Sequence, residues 1–72
     1  MPRLAKNIFR DAIMEYTKDQ GIRAPPFDVP YRYVEVKFRL EGYGKKAAFD
    51  WIVELCELYG YDFDNAYIKI RS

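Results

Sequence analysis

The run Tyr31-Arg32-Tyr33-Val34-Glu35-Val36-Lys37-Phe38-Arg39-Leu40 alternates apolar and polar side chains almost without a break. Val34, Val36, Phe38 and Leu40 fall on one side of an extended chain, and Tyr31, Tyr33, Glu35, Lys37 and Arg39 on the other. That is the period-two pattern of a half-buried β-strand. Arg32 opens the apolar row with a charge, which is tolerable only where that end of the strand meets water.

On the N-terminal side, Leu4, Ala5, Ile8, Phe9, Ala12, Ile13 and Tyr16 recur at steps of three and four, which predicts an amphipathic helix over residues 3–20. Pro2 suits its first position and Gly21 its left-handed end. Residues 22–30 hold Pro25, Pro26 and Pro30, so they read as an extended connector able to lie along a sheet edge. On the C-terminal side, residues 41–44 form a turn. Ala48, Trp51, Ile52, Leu55, Leu58 and Tyr59 then predict a second helix over residues 45–59, with Phe49, Val53 and Cys56 widening its apolar stripe and Gly60 ending it. Ala66, Ile68 and Ile70 alternate with Tyr67, Lys69 and Arg71 as a closing strand.

The expected architecture is therefore a two-layer α+β domain over residues 1–72, in the order helix, strand, helix, strand. Both helices pack on one face of a small sheet. A right-handed parallel crossover fits the strand-helix-strand portion, and an antiparallel pairing fits it as well. Two strands make a marginal sheet, so the Pro-rich segment or a second subunit is expected to extend it. Self-association is favoured further by size, because a chain of 72 residues buries only roughly 60% of the surface that it exposes when unfolded.

The inventory of reactive groups narrows the function. The chain has no His and a single Cys, Cys56, which excludes a cystine framework or a Cys/His zinc site built from one copy. No cofactor or metal is expected. Thr17 and Ser72 are the only hydroxyls besides Tyr, so nucleophilic and general acid-base catalysis lack their usual partners and no enzyme is expected. Asp62 and Asp64, two apart, are the one pair that carboxylate chemistry would use, and paired acids of this kind are far more often a solvated turn. Charges at Arg3, Lys6, Arg10 and Asp11 leave no apolar leader, and no window approaches the ~20 apolar residues of a membrane span. A soluble, cytoplasmic protein without membrane contact is expected.

Two functions of different class follow. If one sheet face is bare, it carries Tyr31, Tyr33, Lys37, Arg39, Tyr67, Lys69 and Arg71, the mixture of flat rings and cations that single-stranded nucleic acid requires. Lys45 and Lys46 add to it, because Gly42-Tyr43-Gly44-Lys45-Lys46 opens the second helix with glycines and cations and no capping residue, a cradle for phosphate. The same string fits Gly-x-Gly-x-x-Ala, although a dinucleotide fold needs more strands than this chain holds. Net charge is only +1 and pI about 7.8, against the basic balance usual for nucleic-acid binding. The charge is nonetheless segregated: residues 1–46 hold ten cations and six anions (+4), and residues 47–72 two cations and five anions (−3). The second function is a protein-binding adaptor or inhibitor. It would use a strand edge, the acidic stripe Asp50, Glu54 and Glu57, or the Phe49, Trp51 and Cys56 flank of the second helix.

Overall fold

The three-and-four spacing near the N-terminus produces a helix, α1 (Ala5–Gln20), in the computed structural model, which describes residues 3–71. Gly21 ends it in the left-handed conformation at φ 70°, where a Cβ would be strained. Pro2, read as its first residue, lies outside the described residues. After α1 come β1 (Phe27–Pro30), α2 (Tyr31–Leu40), α3 (Lys45–Tyr59), β2 (Asp62–Asp64) and β3 (Tyr67–Ile70). The three strands form an antiparallel sheet in the order β1-β3-β2, and the helices pack on it, so the α+β class holds.

The element order does not follow the alternation. Tyr31–Leu40 is a helix rather than a strand. The ten residues satisfy both periods: Tyr31, Val34 and Phe38 stand at steps of three and four, one helical face, while Val34, Val36, Phe38 and Leu40 keep the two-residue alternation. Burial follows the helical period. Val34 and Phe38 are fully buried, whereas Val36 is 45% and Leu40 76% exposed, although a strand would place all four together. Arg32 joins Val36, Arg39 and Leu40 on the outward side, which accounts for a charge at the head of the supposed apolar row.

Long-range partners explain why the helix wins. The N–H of Tyr31 at the start of α2 has no intrahelical partner and donates to the Ala66 carbonyl in the hairpin turn at 2.8 Å. Both sides of β3 are already occupied. Phe27, Asp28, Val29 and Pro30 pair with Ile70, Lys69, Ile68 and Tyr67, while Asp62, Phe63 and Asp64 pair with Lys69, Ile68 and Tyr67. The Pro-rich segment thus extends the sheet, as the sequence suggests, and supplies the strand that residues 31–40 do not. No parallel crossover forms. β2 and the hairpin were not legible in the sequence; Asn65 turns the chain at φ 57°, a conformation Asn tolerates better than most residues.

The core draws on every layer: Ile8, Phe9 and Ala12 of α1, Val34 and Phe38 of α2, Ala48, Ile52, Leu55 and Cys56 of α3, Val29 of β1, and Ile68 and Ile70 of β3. α3 differs from its expected inward set, since Trp51, Leu58 and Tyr59 reach solvent. α1 and α2 cover only part of its girth.

Candidate nucleic-acid interface

α2 and α3 are joined by the four residues 41–44 and pack on each other. The turn is held from both ends. The N–H groups of Glu41 and Tyr43 donate to the Phe38 carbonyl, at 3.0 and 3.1 Å, and that of Gly42 to the Arg39 carbonyl at 3.1 Å. Gly42 makes the bend at φ 100°. The Tyr43 ring lies edge-on to Phe38 with centroids 5.2 Å apart, and its hydroxyl donates to the Arg3 carbonyl at 3.2 Å, fastening the turn to the base of α1.

Gly44 is the N-cap of α3. It has no side chain to cap the helix, the first turn contains no acid, and Lys45 and Lys46 stand there instead. Backbone donors at a helix N-terminus attract negative charge and lysines nearby oppose the dipole, so an anion stabilises this end on both counts. Lys45 borders two adjoining shallow depressions, one lined by Arg32, Glu35, Val36, Arg39 and Leu40, the other by Tyr31, Glu35, Lys46 and Phe49. Arg32, Arg39 and Lys45 have no ion-pair partner among the described residues. Lys46 reaches Asp50 at 3.0 Å, but so exposed an i,i+4 pair contributes only about 0.3–0.5 kcal/mol and yields readily to a phosphate.

An aromatic cluster sets the angle of this pair against the sheet. Tyr31 of α2, Phe49 of α3 and Phe63 of β2 meet edge to face, with centroids 5.4 to 6.0 Å apart. Such contacts contribute about 0.5–1.5 kcal/mol each beyond burial. The Tyr31 hydroxyl also donates to Glu35 Oε2 at 3.3 Å. Burial first, then the charge and hydrogen bond of Glu35, pushes the Tyr31 phenol up to about 12 from its ordinary 10.0. Burial alone pushes the Cys56 thiol up to about 11 from 9.0. Both groups keep their protons in the folded chain over a range where the unfolded chain has released them. The stability that these two groups contribute is therefore full below pH 9 and is lost as pH rises from 9 through 12. Urea unfolding midpoints at pH 8 and pH 11 are expected to show this loss, and Tyr31→Phe to remove the upper part of it. A midpoint independent of pH over that range would contradict the burial of both groups.

The residues assigned to a bare sheet face do not share one. Tyr31, Tyr33, Lys37 and Arg39 left the sheet when α2 formed as a helix. Tyr33 packs edge-on against Tyr16 at 5.2 Å, and Lys37 lies 5.3 Å over its ring while pairing with Glu15 at 3.0 Å. These two seal the seam between α1 and α2. Lys69 on β3 and Arg71 just beyond it both reach Asp28, at 3.4 and 3.3 Å, and Tyr67 is partly exposed on β3. Of the nine residues, Arg39, Lys45 and Lys46 come together at the junction of α2 and α3. Arg32 belongs with them, and its position at the head of an apolar alternation was the available signal. Asp50, Glu54 and Glu57 lie exposed along the outer side of α3, with Trp51 exposed on one flank and Phe49 partly covered by the aromatic cluster on the other. Cys56 is buried. Asp62 and Asp64 are exposed on β2, opposite Lys69 and Tyr67.

The cap offers a two-way test. Gly44 has an ordinary φ of −73° and a Cβ there would meet nothing within 4 Å. Gly44→Asp is expected to stabilise the domain by about 0.3–0.5 kcal/mol while weakening anion binding at α3 several-fold. Thermal unfolding and titration of the same variant with inorganic phosphate check both halves, and an unchanged affinity would remove the helix N-terminus from the candidate site.

No protein-family model, characterised protein or solved structure matches this chain. Among the described residues, no helix is long and apolar enough to cross a membrane. The molecule is a small α+β domain of three helices packed on a three-stranded antiparallel sheet.

Proposed function

We propose that the chain is a binding protein whose ligand is duplex DNA, held by the α2-turn-α3 pair. The observation that carries this reading is the grouping of Arg32, Arg39 and Lys45, none of them ion-paired among the described residues, around an uncapped α3 N-terminus behind a four-residue glycine-containing turn. In helix-turn-helix recognition the N-terminal residues of the second helix reach the groove while the first helix crosses the backbone. Lys45 and Lys46 occupy the first of those places, and Arg32 and Arg39 the second. A single-stranded ligand is less well served, because Tyr31 and Tyr33 are committed to intramolecular ring contacts.

The acids of α3 set a limit. Asp50, Glu54 and Glu57 face outward from the second turn onward, so only the first turn can approach the phosphates without repulsion. Contacts are accordingly dominated by the backbone, with modest base preference and strong dependence on salt. Titration of a fluorescent duplex from 50 to 200 mM salt is expected to give a log-log slope of about −3 to −4, roughly −0.9 for each phosphate neutralised by four cations. Binding that is absent at micromolar protein, or indifferent to salt, overturns the proposal.

A further inference from the structure

Three side chains on the other flank of α3 are exposed without an evident structural reason. Leu4 is 61%, Trp51 41% and Leu58 70% exposed, and with Ala5 and Leu55 they line one shallow apolar groove where the start of α1 meets α3. Lys6 forms one border of that groove, and Arg10 follows it a turn later on α1. Glu54 stands one turn before Leu58 on α3 and Glu57 directly before it, both exposed on the outer side of the helix. Neither Lys6 nor Arg10, nor Glu54 or Glu57, has an ion-pair partner among the described residues. The surface thus runs from unpaired cations, across an apolar ridge, to unpaired anions.

We infer that this ridge is the contact between two copies of the chain, packed about a twofold axis that lays the Trp51 and Leu58 side of α3 against its counterpart. An isologous contact brings residue i of one copy to residue j of the other and j to i. A strip that is basic on one edge and acidic on the other is complementary to itself under that rotation: Lys6 of each copy meets Glu54 of its partner, and the apolar ridges bury each other. A foreign partner would need the mirrored charge order as well as the apolar centre, whereas a second copy supplies both. Stable dimers usually cover about 800 Å² per partner, more than a ridge centred on three exposed apolar side chains, Leu4, Trp51 and Leu58, is expected to supply. The dimer is therefore weak, dissociating at roughly micromolar concentration. Lys45 lies on the other flank of α3, so DNA contact and pairing use separate surfaces.

Trp51 is the only Trp in the chain, so its fluorescence reads the interface directly. Sedimentation equilibrium from 5 to about 500 µM is expected to show a monomer-dimer equilibrium, with Trp51 emission moving to shorter wavelength as dimer forms. Leu58→Glu, at an exposed position, is expected to remain monomeric throughout with an unchanged circular dichroism spectrum. Lys6→Glu and Glu54→Lys are each expected to weaken pairing at least tenfold alone and to pair with each other when mixed, since the mixture restores both contacts. A wild-type chain that stays monomeric to about 500 µM overturns the inference, as does a dimer that Leu58→Glu leaves intact or two charge variants that do not pair on mixing.

Discussion

Phe38→Ala is expected to cost about 3–5 kcal/mol, enough to leave much of the population unfolded at 37 °C. Phe38 is fully buried where α1, α2 and the turn before α3 converge, and Tyr43 rests on its ring. Truncating such a side chain loses both its transfer free energy and the contacts of the cavity left behind. A domain of this size commands only about 4–10 kcal/mol in total. Leu40→Ala, two residues on, is expected to change stability by no more than about 0.5 kcal/mol, because Leu40 is exposed. The pair decides between two conformations of the same residues. In a strand, Phe38 and Leu40 would share one buried face and their truncations would cost alike. In α2 they diverge. Urea denaturation of the two variants checks this, and equal midpoints would contradict the helix.

The second large effect concerns binding. Reversing Arg32, Arg39 and Lys45 together to Glu is expected to weaken duplex DNA at least about a hundredfold at 0.1 M salt and to flatten the salt slope, since three phosphate contacts are replaced by repulsion. The fold should survive, because none of the three side chains is ion-paired among the described residues or contributes to the core. Reversing Lys69 and Arg71 is the matched control. Those two cations are held by Asp28 on β1, and their loss is expected to reduce affinity only about as far as the change in net charge requires. Fluorescence anisotropy with one labelled duplex measures both variants. If the β3 pair proves the more damaging, the ligand lies across the sheet and not at the helix pair.

The candidate site was partly legible before folding. Gly42-Tyr43-Gly44-Lys45-Lys46 signals a turn feeding an uncapped, cationic helix end from composition alone, and the structure realises that turn. Local chemistry sufficed because turn residues and caps act within a few positions of themselves. The stacking face built from Tyr31, Tyr33 and Tyr67 required residues 31–40 to be extended, and it disappeared with that strand. Arg32 was hidden for the same reason: a period-two reading sets it aside as an irregularity, and a period of 3.6 turns it beside Arg39. Trp51 and Leu58 seemed core residues by spacing, yet which part of a broad apolar stripe is covered depends on its neighbours, and the start of α1 borders these two without covering them.

What the amino-acid sequence determined by itself is whatever short-range physics suffices to decide. The sixteen residues of α1 and the fifteen of α3 carry unambiguous three-and-four spacing with Gly21 and Gly60 as stops. The prolines before residue 31 keep their segment extended. The state of residues 31–40 belonged to the tertiary structure. Ten residues that satisfy both periods have no strong local preference, since a short helix is marginal alone and strand propensity is mostly a matter of neighbours. The outcome rests on partners distant in sequence: the Ala66 carbonyl that accepts from Tyr31, the two strands already flanking β3, and the shared core into which Val34 and Phe38 are buried.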